Sequence, residues 1–138
     1  MPTITMDLPF EPMPKLRPRF STHHGRVLTH TPPKTKEFET MVAEYYRLAH
    51  SYTFEQHKPI TVSIDFCLSV PASTSKKRKA DMISGVIKHT VKPDIDNLTK
   101  AILDALNGLA WYDDAHITML HVSKSYAETP HIMIAIHD

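Results

Sequence analysis

The alternation of apolar and polar residues is most regular between residues 60 and 70. Every second residue there is apolar, and Thr, Ser, Asp and Cys fill the positions between them. A strict period of two predicts a β-strand with one face on a core and the other on a more polar surface. Similar patterns next to turn residues predict further strands at residues 3–8, 26–30, 117–126 and 131–137. His24-Gly25 is a predicted tight turn. The prolines of residues 9–18 predict a loop, and Arg19 and His23 are placed on the same loop.

Helical spacing of apolar residues appears in three other segments. The first predicted helix opens at Thr31-Pro32-Pro33, with Thr31 as its cap and prolines in its first turn, and ends near His50. From Phe38 onward its apolar residues at helical spacing are Met41, Val42, Tyr45, Leu48 and Ala49. Ser75 and its neighbours cap a short second helix that closes near Gly85. A third helix lies within residues 96–107. This order predicts an α/β (α+β) fold in one domain, residues 1–138, with a mixed β-sheet and helices packed on it.

The third helix separates an apolar face from a charged face. On a helical wheel, the apolar residues Leu98, Ala101, Ile102, Ala105 and Leu109 cluster together. Asp96, Lys100, Asp104 and Asn107 gather on the opposite side, and Gly108 is a typical helix stop. The apolar Leu103 falls on the charged side, which predicts a covering loop or a partner subunit there.

The approach to this helix carries two aspartates separated by Ile95. Pro93 favours an extended Lys92. If the chain stays extended through Asp96, Asp94 and Asp96 project the same way, roughly 7 Å apart at their Cα atoms, and Ile95 turns into the core. A metal shared by both aspartates therefore requires the helix to start at or just after Asp96, which is also a good cap residue.

Clustered carboxylates repel one another, at roughly 3 kcal/mol for a pair about 5 Å apart in a medium of dielectric constant about 20. A cluster of Asp94, Asp96 and one of the two aspartates after the helix therefore calls for a cation. Oxygen-only ligands suit Mg²⁺ or Mn²⁺. An isolated Asp-x-Asp before a helix is more often a cap with solvated charge. The metal-site prediction therefore depends on the combination of these two aspartates with the acids that follow the helix.

Bulk composition limits the partners and the compartment only loosely. Net charge is +1, so overall charge does not indicate nucleic acid, and the single Cys67 excludes an internal disulfide and a cysteine-based zinc site. No signal peptide and no membrane-spanning stretch is expected. The single cysteine fits a reducing cytoplasm, so we expect a cytoplasmic protein.

The stretch KPDIDNLTKAILDALNG followed by WYDDAHI resembles the signature of the RusA-type Holliday junction resolvases of bacteria and phages. The resemblance, strongest to phage forms, implies a RusA-like fold and a protein of a bacterial cell or a phage-infected host. It implies that Asp94, Asp96 and Asp114 bind metal and that Lys100 is the catalytic lysine. Asp104 and Asp113 match further acidic positions of the motif. His116 departs from it, because glutamine is more often expected there.

Clustered basic residues are predicted to contact DNA phosphates without reading sequence. They are Lys15, Arg17, Arg19, Lys76, Lys77, Arg78, Lys79, Lys88, His89 and Lys92. Taken singly, a basic run such as Lys76–Lys79 is more often a solvated helix end. The DNA-binding prediction therefore depends on the acidic motif beside these residues.

The expected function is resolution of four-way DNA junctions in recombination and repair, by paired metal-dependent phosphodiester hydrolysis. In the expected mechanism a metal-bound water attacks in line, and Lys100 stabilises the phosphoryl charge. Two symmetric nicks call for a homodimer, which the resemblance also implies. The alternatives are a broader nuclease that cuts flaps or forks, a non-catalytic junction-binding module, and an enzyme acting on small phosphate esters.

Overall fold

The computed structural model describes residues 2–16, 19–30 and 32–138. The elements in chain order are β1 (Thr3–Leu8), β2 (Arg19–His23), β3 (Arg26–His30), α1 (Pro33–Ala49), β4 (Ile60–Leu68), α2 (Lys76–Ile83), α3 (Ile95–Leu106), β5 (Ile117–Tyr126) and β6 (His131–His137). A single 3₁₀ turn, Asp114–His116, precedes β5. Within the described residues, no helix is both long enough and apolar enough to cross a membrane.

Four of the strands form a mixed sheet in the order β1-β6-β4-β5. β4 pairs with β5 in parallel, whereas β6 pairs antiparallel with both β1 and β4. The parallel pair requires a crossover, which the long segment containing α2 and α3 supplies. The structure therefore confirms the predicted α+β class with a mixed sheet and packed helices.

The core lies between one face of this sheet and the helices α1 and α3. The alternation predicted for β4 is observed, because Ile60, Val62, Ile64 and Phe66 are fully buried. In α1 the buried stripe is Thr35, Phe38, Val42 and Tyr46. The predicted α1 stripe was only partly correct, since the structure exposes Met41, Tyr45 and Leu48.

A separate hairpin joins β2 to β3. Sequence analysis missed β2 and placed Arg19 and His23 in a loop. The strand forms because His24 and Gly25 both adopt positive φ, at 50° and 76°, as a two-residue hairpin turn requires. The backbone of residues 19–23 can therefore pair with residues 26–30. Thr31, the predicted cap of α1, lies outside the described residues, and Pro32 directly precedes the helix.

The ends of α2 and α3 follow the predicted signals. Ser75 caps α2 by accepting a hydrogen bond from the Arg78 amide at 3.3 Å. Helix α3 ends at Leu106, and Gly108 follows with φ of 77°. Leu103 packs against the edge of the core within this chain, so its position on the charged side of α3 needs no partner subunit.

Candidate active site

The first turn of α3 presents two aspartates in different conformations. Asp94 immediately precedes the helix and is extended, with φ of −69° and ψ of 142°. Its carbonyl accepts the first helical hydrogen bond, from the Leu98 amide at 3.1 Å. Asp96 is already in the first turn, where the helix dipole favours a carboxylate.

This geometry corrects the predicted start of α3. The helix begins at Ile95, so Asp94 and Asp96 do not project side by side from an extended chain. Ile95 was expected to turn into the core, but 39% of its surface is exposed. The helix starts before Asp96 because the Asp94 carbonyl already accepts a helical hydrogen bond from the Leu98 amide. A carboxylate is also favourable in the first turn of a helix, where Asp96 then lies.

Two adjoining cavities bring the predicted acids to one surface. The first, about 380 Å³, is lined by Ile95, Asp96, Thr99, Lys100, Leu103, Asp104, Asp114, Leu120 and Val122. The second, about 620 Å³, is lined by His89, Thr90, Val91, Lys92, Asp94, Ile95, Asp96 and Lys124. Both cavities are lined by Ile95 and Asp96, and we call the two together the concave region. Each of the four residues predicted to be catalytic lines at least one of the two cavities.

Asp114 is held from two directions. Its Oδ1 accepts a hydrogen bond from Nε1 of the fully buried Trp111 at 2.7 Å. Its amide donates to the side-chain oxygen of Asn107 at 3.2 Å. Asp113 points elsewhere, because its carboxylate accepts from the Ala115 amide at 3.0 Å and caps the 3₁₀ turn. The structure therefore directs Asp114, rather than Asp113, to the cavity.

Burial raises the pKa of Asp114 above its ordinary value. The negative charges of Asp104 and Asp113 raise this pKa further. The hydrogen bond from Trp111 and the positive charge of Lys100 act in the opposite direction. A bound cation would relieve the same repulsion, as expected for a carboxylate prepared for a positive partner.

Asp104 connects the catalytic lysine candidate to a second lysine. Its Oδ2 lies 3.2 Å from Nζ of Lys15 and 3.9 Å from Nζ of Lys100. Lys15 also pairs with Glu39 of α1, and its amide donates to the Asn97 carbonyl at 2.8 Å. Lys15 therefore ties the proline-rich segment to both α1 and α3. The Lys100 side chain stays 63% exposed and can approach a ligand in the cavity.

Lys92 neutralises Asp94 in this structure. Its Nζ donates to both carboxylate oxygens, at 2.8 and 3.0 Å, and its side chain is 85% exposed. The contact explains why the Asp94 side chain makes no cap hydrogen bond to the helix. An exposed lysine can leave at little cost, so a divalent cation could replace it at Asp94.

The donor set of the cavities suits a hard divalent cation, since it consists of carboxylate oxygens. No three Asp, Glu, His or Cys side chains within residues 2–16, 19–30 and 32–138 form a ready-made metal cluster. Mg²⁺ needs none, because it is usually bound by one or two carboxylates and keeps several waters. The residues therefore fit a hydrated Mg²⁺ or Mn²⁺, without the three-carboxylate cage expected from the motif.

The predicted DNA-contacting residues fall into distinct groups. Exposed candidates are Lys76, Lys77, Arg78, Lys88 and Lys92. Lys79 pairs with Glu128 at 2.9 Å. Arg17, and the side chain of Arg19, lie outside the described residues.

Two of these candidates are placed differently from the prediction. The Lys15 side chain is only 16% exposed, because its ammonium is held between Glu39 and Asp104. His89 is buried against Tyr126, with ring centroids 4.5 Å apart. A contact from either side chain to DNA would require these arrangements to open.

Sequence analysis missed two residues that support the site. Asn107 was assigned only to the charged face of the third helix, yet its side-chain oxygen accepts a hydrogen bond from the Asp114 amide. Lys124 donates from β5 to the carbonyls of Val91 and Pro93, just before Asp94. The sequence contains a signal for Lys124. It is a charged residue two positions after the apolar Val122, and therefore on the same face of the predicted strand.

The motif residue that departs from the resemblance also has a definite place. His116 lies against His57, with ring centroids 5.5 Å apart, and its Nδ1 is buried without a hydrogen-bond partner among the described residues. It belongs to the 3₁₀ turn that carries Asp114. It lines neither of the two cavities.

Comparison with known proteins identifies the family of the chain. The family model described as endodeoxyribonuclease RusA matches residues 9–137. The chain is also similar to the uncharacterized protein YqaN of Bacillus subtilis (strain 168), with 36% identity over 137 residues, which cover 93% of this chain and 91% of the relative. The chain therefore belongs to the RusA family, endodeoxyribonucleases that resolve Holliday junctions.

Proposed function

We propose that this chain hydrolyses DNA phosphodiester bonds at the concave region where the two cavities meet. The observation that carries the proposal is the convergence of Asp94, Asp96, Lys100 and Asp114 on that region. The substrate would be the four-way junction of the family. We further infer that residues 1–138 act as one nuclease domain.

Nucleases of this family depend on divalent metal in general. In our proposal the ion is Mg²⁺, with Mn²⁺ as a substitute, and it would be held by its own waters and by carboxylates of Asp94, Asp96 and Asp114, of which Asp96 lines both cavities. Because α3 starts at Ile95 and the three carboxylates form no closed cluster among the described residues, Asp94 and Asp96 would not hold the ion as the extended pair that the sequence predicted. Such an ion supplies an activated water and neutralises charge on the scissile phosphate. Asp114 is suited to this role because its Oδ2 accepts no hydrogen bond from the described residues, while Trp111 fixes its Oδ1.

Lys100 would supply positive charge at the phosphoryl oxygens. Its ammonium is exposed, and Asp104 holds it from the next turn of α3 at 3.9 Å. A carboxylate at this distance restricts the lysine without neutralising it by a tight contact. Preorganised charge beside a transferring phosphoryl group is an effective source of transition-state stabilisation.

The phosphate backbone would approach over exposed basic residues beside the acids. Lys92 borders the larger cavity directly, and Lys88 precedes it in the same segment. The first turn of α2 adds Lys76, Lys77 and Arg78. Contacts of this kind give affinity without sequence specificity and weaken as salt concentration rises.

A homodimer completes the proposal. Resolution of a four-way junction needs two nicks in symmetric positions, and a two-fold dimer presents two equivalent sites. Each site would cut one strand and leave a 5′-phosphate. Sedimentation of the protein with and without junction DNA measures this stoichiometry directly.

The decisive experiment compares cleavage of a synthetic four-way junction with cleavage of linear duplex and flap DNA in Mg²⁺. We expect Asp94→Asn to slow junction cleavage by at least about 100-fold, since even residues that only orient metal ligands contribute about 10- to 100-fold. The matched control is Asp7→Asn, which makes the same change at an exposed position of β1. Its activity should equal that of the unmodified protein.

Three results would redirect the assignment. Junction cleavage by Asp94→Asn at the unmodified rate would remove Asp94 from the metal site. Tight junction binding without cleavage, in either Mg²⁺ or Mn²⁺, would favour a non-catalytic junction-binding module. Flap cleavage as fast as junction cleavage would favour a broader structure-specific nuclease.

A further inference from the structure

Lys124 occupies a position where an apolar residue would be expected. It lies on β5 opposite the fully buried Phe66 of β4, and the next residue on the same side of the strand is the buried Tyr126. The helix-facing side of the sheet is otherwise apolar at this point, with Val122 two residues earlier. A lysine can occupy such a site by covering apolar surface with its methylenes and placing its ammonium at the edge.

The ammonium of Lys124 binds backbone rather than a carboxylate. It donates to the carbonyl of Val91 at 2.7 Å and to the carbonyl of Pro93 at 2.9 Å. Both carbonyls belong to the short segment that leads into α3. Because the two converge on one nitrogen, the segment is anchored on both sides of Lys92, whose own side chain points outward to Asp94.

The anchor acts directly on the backbone of Asp94. The carbonyl of Pro93 and the amide of Asp94 belong to one rigid peptide unit. Fixing the Pro93 oxygen therefore fixes the plane from which Asp94 extends. Lys124 and Asp94 also line the same cavity, so the anchor lies beside the carboxylate that it orients.

We propose that Lys124 is a positioning residue that sets the direction of the Asp94 carboxylate for cation binding, through its hydrogen bonds to the Val91 and Pro93 carbonyls. The inference rests on the proposed function, in which Asp94 holds the cation. Lys124 itself touches neither the cation nor DNA in this role. Its role at Asp94 parallels that of Asn107 at Asp114, because each side chain binds the backbone next to a carboxylate.

The primary test is Mn²⁺ affinity, measured by calorimetry on the full chain without DNA. We expect Lys124→Met to weaken binding by about 10- to 100-fold, as removal of residues that orient metal ligands does. Lys124→Arg keeps N–H donors for both carbonyls and should stay within about threefold of the unmodified protein. Lys34→Met removes the same charge from an exposed position of α1 and should bind normally.

A second readout needs no metal. The Leu98 amide donates to the Asp94 carbonyl at 3.1 Å and reports on order at the start of α3. In Lys124→Met its hydrogen exchange should accelerate, whereas exchange at Ile102 in the middle of α3 should stay unchanged. Equal acceleration at both amides would show a general loss of stability and would overturn the positioning role.

The outcomes separate this inference from the proposed function. If Mn²⁺ binds the unmodified chain and Asp94→Asn abolishes binding, the metal site stands. Under that condition, normal Mn²⁺ binding by Lys124→Met overturns the role of Lys124 alone. Normal binding together with lost junction cleavage would instead make Lys124 a substrate contact. If Asp94→Asn leaves Mn²⁺ binding unchanged, the proposed function itself fails.

Discussion

Trp111 holds the Asp114 carboxylate from a fully buried position, which gives the site its most testable contact. The indole Nε1 lies 2.7 Å from Oδ1 of Asp114, and the ring has no exposed surface. Trp111→Phe keeps a buried aromatic ring but removes the N–H donor. We expect this substitution to lower the free energy of unfolding and to raise the pKa of Asp114 further, because the lost hydrogen bond lowers that pKa.

Two contributions set the magnitude. A hydrogen bond to a charged group contributes roughly 1.5–3 kcal/mol. Phenylalanine also buries about 40 Å² less apolar surface than tryptophan, which costs about 1 kcal/mol at about 25 cal/mol per Å². The sum, about 2.5–4 kcal/mol, is a large part of the roughly 5–15 kcal/mol by which native proteins are stable.

Urea denaturation of four proteins at pH 7 without metal separates the two contributions. They are the unmodified chain, Trp111→Phe, Asp114→Ala and the double variant. In the Asp114→Ala background the N–H has no acceptor, so Trp111→Phe should cost only the packing contribution of about 1 kcal/mol. As a control, Asp113→Ala removes the neighbouring carboxylate, which binds Ala115 instead, and should show no coupling to Trp111.

The decisive quantity is the coupling energy between Trp111 and Asp114. We expect about 1.5–3 kcal/mol between Trp111 and Asp114. If Trp111→Phe costs the same in both backgrounds, within about 0.5 kcal/mol, the indole contributes packing alone. The hydrogen bond would then have no part in holding Asp114 at the cavity.

Three further predictions concern residues around the site. Burial and the charge of Lys124 lower the pKa of His89. The free energy of unfolding should therefore fall as pH decreases below about 6.5, by up to about 1.4 kcal/mol per pH unit. The His89→Gln variant should lose this pH dependence in urea titrations. Lys15→Met leaves Glu39 and Asp104 without their shared cation, so it should lower the free energy of unfolding by about 2 kcal/mol in urea denaturation. Adding Glu39→Gln to that variant should recover part of the loss. Gly108→Ala should cost about 1 kcal/mol from its positive φ alone, since the added methyl would contact nothing within 4 Å.

Each of these predictions has a result that contradicts it. A His89→Gln variant with an unchanged pH slope would assign the titration to another of the ten histidines. Unchanged stability of Lys15→Met would mean that the ion pairs merely offset their desolvation. For Lys15, burial alone would lower the pKa, but the hydrogen bonds and charges of Glu39 and Asp104 together raise it above its ordinary value. A neutral or stabilising Gly108→Ala would mean that residues 107–108 relax out of the observed turn.

The local patterns of this sequence were sufficient for most of its elements, β2 excepted, and for its family. Period-two alternation set β4, helical periodicity set α3, and Gly108 set the end of α3, because each signal arises from neighbouring residues alone. The motif from Asp94 to Asp114 likewise identified the family without tertiary information. Where two local signals competed, as at the start of α3, sequence reasoning was wrong by about one residue, and that error changed the predicted geometry of Asp94 and Asp96.

The tertiary structure decided which of these residues meet and which charges stay free. Lys15 and Lys92 look equivalent in the sequence, yet one is enclosed between Glu39 and Asp104 while the other stays exposed on Asp94. Trp111 and Lys124 became supports of the site only when their partners, Asp114 and the carbonyls before Asp94, were brought beside them. A charge or a hydrogen-bond donor is read from sequence, whereas its partner depends on contacts between distant segments, and those exist only after the chain has folded.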